Sequence, residues 1–191
     1  MDLTVSAQDR VLLYLMNFGT QDESYQCDSG LTQKGIAVNV RIQRKHVSRH
    51  LDRLKAAGCL EEGMRRVWGA KQKMRCYWLT PNGFARAREV QESVGAETVR
   101  VRIDGEVREM RISDIDGATS VHLRFSDIVC EALESPGELD MNVLEKIEEN
   151  NRRMMDEKTA RAEVYRRALA VAWRSGILTS SEKHLIDALK T

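Results

Sequence analysis

Membrane-length apolar runs, paired cysteines and enzyme motifs are all missing from this 191-residue sequence. No apolar stretch approaches the roughly 20 residues that span a bilayer. No basic, apolar, small-residue signal pattern opens the chain, so no membrane association and a cytoplasmic location are expected. The four cysteines, Cys27, Cys59, Cys76 and Cys130, lie far apart and form no CxxC pair. That disfavours zinc and disulfide frameworks and leaves reduced thiols as the expectation. Cys76, beside Arg75, is the best placed of the four to sense oxidants. No Gly-rich phosphate loop, nucleophile elbow, zinc-protease helix or carboxylate constellation appears, so the reading is a non-enzyme with no cofactor and no metal. His46 and His50 stand at i, i+4, yet no Cys or carboxylate follows at fixed spacing to complete a site. Aromatics make up 5% of the chain, which is thin for the stacking platforms of single-stranded DNA or RNA binders.

Charge is abundant but unevenly placed. Residues 31–90 carry fourteen Lys/Arg against four acids (Asp52, Glu61, Glu62 and Glu89), a net of +10 in a chain whose total is +1. The remainder is therefore −9. A basic block in a near-neutral protein points to a polyanion partner for that block.

Inside the block, Gln43 to Leu54 (QRKHVSRHLDRL) has the period of a helix. At roughly 100° per residue, Val47, Leu51 and Leu54 share one face, which must be buried. Lys45 and Arg49 then point almost directly outward, with His46, Ser48, Asp52 and Arg53 beside them and Arg44 nearer the buried edge. One apolar stripe backed by donors is what reading base edges and phosphates requires, although a solvated surface helix has the same pattern.

The flanking elements fit that reading. Ser6 caps a first helix, with Val11, Leu12, Leu15 and Met16 on one side and an end near Phe18-Gly19. Residues 20–30 are polar and turn-forming and read as a loop, with Tyr25 and Cys27 as packing residues. Thr32 caps a short second helix with Ile36 and Ala37 inward. Residues 39–42 make the turn, with Asn39, or failing it Val40, supplying the left-handed conformation and Ile42 a buried aliphatic. Thr32, at a helix N-terminus, is a candidate backbone-phosphate contact. Gly58 ends the next helix. LEEGMRRVWGAKQKMRCYWLT then reads as two strands around a loop crowded by Arg65, Arg66, Lys71, Lys73 and Arg75. Trp68 suits either a hairpin core or a sugar contact. Thr80-Pro81-Asn82-Gly83 stops the second strand, and another helix follows.

Helix, helix-turn-helix, basic hairpin and a closing YWLTPNG over about residues 6–90 resemble the winged helix-turn-helix regulators of the MarR and ArsR sort. The order VSRHLDRL followed by YWLTPNG is similar in particular to archaeal winged-helix DNA-binding proteins. The resemblance implies that Arg44, Lys45, His46, Ser48 and Arg49 meet DNA from the helix in the major groove, and Arg66, Lys71 and Lys73 from a wing on the backbone or in the minor groove. The angular position of Arg53 adds it to the helix set.

Beyond residue 92, Val99, Val101 and Ile103 alternate into an Asp104-Gly105 hairpin turn. Residues 121–191 read as helical. Ser126 caps one helix and Pro136-Gly137 breaks it. A long helix from Asp140 has apolar ends, a charged centre and no clean heptad, so no coiled coil is expected. Gly176 ends it, and Thr179 to Glu182 resembles a capping box before a last helix. The expected fold class is mainly α with small β (α+β). Residues 1–92 form a winged helix-turn-helix, 93–119 a β-hairpin connector, and 120–191 a helical region for dimerisation or partner binding. The expected function is a sequence-specific double-stranded DNA-binding transcription regulator, a homodimer, with a protein partner for the C-terminal helices as a further role. The alternative is a winged-helix adaptor that docks proteins without reading DNA sequence.

Overall fold

Ser6 starts the first helix as expected: its Oγ accepts a hydrogen bond from the Asp9 amide at 3.1 Å. The protein is seen here in a computed structural model that describes residues 3–19, 26–67, 70, 72–135 and 137–175, without the side chains of 26, 158 and 161–175. Helix α1 (Ala7–Met16) buries five consecutive residues, Val11 to Leu15. A surface helix buries one stripe; this one is covered all round and lies inside the fold.

Residues 26–30, expected as loop, are ordered differently. Gln26–Cys27 form a short strand, β1, and Ser29–Leu31 a 3-10 turn whose cap is Asp28, accepting from the Gly30 amide at 2.6 Å. The strand exists because it pairs in parallel with a segment forty residues on, Gln26 with Arg66 and Cys27 with Val67. No local pattern reports such a partner. Tyr25 lies outside the described residues, and Cys27 is buried.

Helix α2 (Gln33–Asn39) is capped by Thr32 and buries Ile36 and Ala37. The turn into α3 (Arg44–Ala56) corrects one expectation: Arg41, not Asn39, takes the left-handed conformation, at φ 52°. The Ile42 amide donates to Ala37 O (3.0 Å) and the Arg41 amide to Val38 O (3.2 Å), the paired bonds of a Schellman end. Asn39 instead spends its side-chain amide on Gly35 O at 2.8 Å. The same pair of bonds closes α3, where Gly58 (φ 69°) holds the equivalent position. A side chain in this region costs about 1–2 kcal/mol over glycine, so Arg41 is retained at α2 against the backbone's preference.

Strands β2 (Leu60–Val67) and β3 (Lys73–Leu79) form an antiparallel hairpin, giving the sheet order β1-β2-β3. Helix α4 (Pro81–Gly95) follows, with Thr80 as its cap and Pro81 in its first turn. This is a winged helix-turn-helix. Strands β4 (Thr98–Ile103) and β5 (Glu106–Arg111) turn at Asp104 and Gly105, both at positive φ (52° and 85°), as a two-residue type I′ hairpin requires. A short β6 (Leu139–Asp140) adds in parallel to the other edge of β4. Helix α5 spans Phe125–Glu134; its N-cap is Arg124, not Ser126. Ser126 is buried, and its Oγ accepts from Asn17 Nδ2 at 2.9 Å, so tertiary contact overrides the local capping signal. Helix α6 (Met141–Ser175) runs 35 residues, about 50 Å at 1.5 Å per residue. The expected last helix, its capping box and Gly176 lie outside the described residues.

The described residues are mainly helical with two small sheets. Apolar side chains gather in two clusters. The first joins α1, α2, α3 and the β2–β3 hairpin. The second joins β4, β6, α5 and the start of α6 with Leu13 of α1 and Val90 and Val94 of α4.

Candidate nucleic-acid interface

Val47, Leu51 and Leu54 are the buried residues of α3, at 4% exposure or less. With that stripe inward, Arg44, Lys45, His46, Ser48, Arg49 and Arg53 are all exposed, together with Asp52. None of Arg44, Lys45, Arg49 and Arg53 has a carboxylate within 4 Å among the described residues, whereas Lys55 at the helix end is held by Glu62 at 2.7 Å. Ser48 Oγ accepts from Gln33 Nε2, which ties α2 to the middle of α3 and leaves the hydroxyl proton of Ser48 to donate outward. The first turn of α3 holds Arg44, Lys45 and His46, no acid, and no side-chain cap. Cations at the positive end of a helix oppose its dipole by roughly 0.3–1 kcal/mol each. An anion docked there would reverse the sign.

The wing also carries cations on one face. Arg66 lies directly across from Lys73, and Met64 from Arg75. By the two-residue period of strands, Arg66, Lys73 and Arg75 share one face of the hairpin, with Tyr77 and Leu79 of the same face buried nearer its base. Like charges directly opposite, as at Arg66 and Lys73, destabilise a sheet pair, and an anion beside them would relieve that repulsion. It adjoins α3 through Glu62, whose Oε1 lies 2.7 Å from Lys55 Nζ and 3.9 Å from Arg75 Nη1. Arg75 thus belongs with the wing cations, a placement that strand alternation could have given from sequence. Arg65 is on the opposite face, its guanidinium 5.3 Å from the ring centre of Trp78, and Trp78 Nε1 donates to Glu61 at 3.0 Å. Lys71 and Trp68 lie outside the described residues.

Thr32 does not sit as the phosphate reading requires. It is 4% exposed, its hydroxyl donates to Ser29 O at 2.7 Å, and its Oγ1 accepts from the Gly35 amide at 3.1 Å. A side chain spent on capping and covered by the 3-10 turn cannot reach a phosphate. Cys76 is fully buried; a hydrogen bond from Cys27 holds its thiol below the ordinary range, but reagents have no direct path to it.

His50, at the inner edge of α3, has its Nδ1 buried without a hydrogen-bond partner among the described residues. Burial, then the charges of Arg53 and Arg49, push its pKa below 6.5. The unfolded chain therefore takes up this proton more readily than the folded one, and the contribution of His50 to stability is present above about pH 6.5 and is lost as pH falls below it. Melting curves from pH 8 to 5 should show a decline that His50→Gln makes shallower. Curves of equal slope for the two chains would remove His50 from the account. Among the described residues, no group of three His, Cys, Asp or Glu is arranged to hold a metal ion, and no helix is long and apolar enough to cross a membrane.

No protein-family model matches this chain, and no curated protein matches it. Two solved structures are similar to it. A candidate DNA-binding protein from Ralstonia eutropha JMP134 is 23% identical, over 46% of this chain and 98% of that one, with a TM-score of 0.34. A MarR family transcription regulator is 21% identical, over 47% of this chain and 51% of its own length, also with a TM-score of 0.34.

Proposed function

We propose that this protein is a double-stranded DNA-binding transcription regulator that reads sequence with α3 in the major groove and neutralises phosphates with the β2–β3 wing. The observation that carries the reading is the outer face of α3, where four cations without carboxylate partners among the described residues stand beside a hydroxyl and an imidazole. The aligned cations of the wing continue that surface. Residues 1–92 carry the DNA contacts, 93–119 connect, and the helices of 120–191 set a homodimer or hold a protein partner. A two-fold dimer would then read half-sites about one helical turn apart.

The test is a fluorescence-anisotropy titration of the full chain against random duplex DNA at several salt concentrations. Each phosphate neutralised contributes roughly −0.9 to the log–log slope, so a slope near −4 or steeper is expected. Arg66→Ala with Lys73→Ala should make it shallower by about 2. The competing reading, a protein-docking adaptor, draws on Val38 of α2, 67% exposed, and Met154 of α6, 57% exposed. Absence of duplex binding at low salt, with salt-insensitive capture of a protein, would favour the adaptor.

A further inference from the structure

The turn between α2 and α3 is gripped from outside the helix-turn-helix at three successive residues. Cys130 Sγ of α5 donates to Asn39 O at 3.8 Å, and Arg10 Nη1 of α1 donates to Val40 O at 3.1 Å. The Arg41 guanidinium lies 2.8 Å from Glu131 Oε2 and 2.6 Å from Glu134 Oε2, and it also donates to Cys130 O at 3.4 Å. Glu131 and Glu134 are one turn apart on α5, so both carboxylates fall on the side facing the turn. Arg41 does this from a left-handed backbone that glycine would fill more readily, as Gly58 does at the end of α3. A non-glycine residue held in that region persists where its surroundings fix it, and here they fix it through the side chain.

We propose that Arg41 is a positioning residue: through Glu131 and Glu134 it fixes the turn to α5, and so sets how α3 is presented to DNA and couples that presentation to the C-terminal helices. The proposal rests on the DNA-binding reading above. It separates Arg41 from the basic residues around it, because its charge is spent inward on α5. Arg41→Ala would remove the grip and keep the backbone strain. Arg41→Gly removes the grip and relieves the strain, so it tests positioning with the least damage to folding. Glu131→Gln with Glu134→Gln removes the grip from the other side and leaves the turn sequence intact.

The experiment uses the full chain. Wild type is first taken through selection from a randomised duplex pool, and the best recovered duplex and a random duplex are then titrated with each variant. Arg41→Gly and the double glutamine variant should each lower discrimination between the two duplexes about fivefold or more, in the range of ordinary coupling between sites. Affinity for random duplex should stay within about twofold, because the phosphate-facing cations are untouched. Arg41→Lys, which retains one ion pair, should recover part of the discrimination. Wild-type discrimination that Arg41→Gly and the double variant both preserve would overturn the proposal alone. A wild type that binds no duplex would overturn the function itself and the coupling with it.

Discussion

Arg49→Ala is expected to weaken binding to a preferred duplex by about 1–3 kcal/mol, a loss of roughly 5- to 150-fold, while leaving stability within about 0.5 kcal/mol. Both halves follow from one geometry. Arg49 lies opposite the Val47–Leu51–Leu54 stripe, is exposed, and has no carboxylate partner among the described residues. Removing it leaves no cavity and no orphaned charge. In a major groove the same position lets a planar guanidinium reach two acceptors on one guanine in a fixed fork, which a flexible ammonium matches less well, so Arg49→Lys should recover only part of the discrimination. Arg66→Ala should behave differently: on the proposed reading it neutralises phosphate alone, so its loss should lower affinity for every sequence alike. The pair is measured by anisotropy on a selected and a random duplex. If both variants lose equally on both duplexes, the division of labour between helix and wing is wrong.

Gly83→Ala is expected to lower stability by about 1–3 kcal/mol, although alanine is the better helix former by about 1 kcal/mol. A Cβ built on Gly83 would lie 2.0 Å from Cys59 O and 3.0 Å from Cys59 C, and both are backbone atoms that cannot swing aside. The surrounding Thr80-Pro81-Asn82-Gly83 shows why the approach must be close. Thr80 N donates to Cys59 O at 3.0 Å, Thr80 Oγ1 donates to Gly58 O at 2.7 Å, and Asn82 Nδ2 donates to Ala57 O at 3.3 Å. Three consecutive carbonyls at the end of α3 are thus met by the start of α4. A methyl group would push the two apart and break these bonds together. The melting temperature should fall by roughly 2–4 °C per kcal/mol for a chain of this size. A variant as stable as wild type would mean that helix propensity, not the close approach, governs the site.

What the sequence disclosed follows the range of each interaction. The inner stripe of α3 and the outward set from Arg44 to Arg53 could be read because helical period is a local property. The Asp104-Gly105 turn could be read because both of its residues must adopt a left-handed backbone. Thr32 is legible as a cap, but its burial is not, because that depends on a 3-10 turn folded back over it. Local preference offers Asn39 as the left-handed residue of the helix-turn-helix; the structure has Arg41 there, at the Schellman end of α2, with its side chain held by Glu131 and Glu134 some ninety residues away. Strands β1 and β6 leave no signal in the sequence, since each is two residues long and exists only by pairing with a distant strand.

The all-round burial of α1 bears on modularity. Val11, Leu12 and Leu15 belong to the apolar cluster of the winged helix, and Leu13 between them belongs to the other, with Val90 and Val94 of α4. The helix is a party wall. A gene fusion that transplanted residues 1–92 as a detachable reading head would carry Leu13 and Val90 into water, stripped of Val94 and the rest of their neighbours. The roles of the two parts can be told apart on paper, yet the chain is built so that neither part is a cassette.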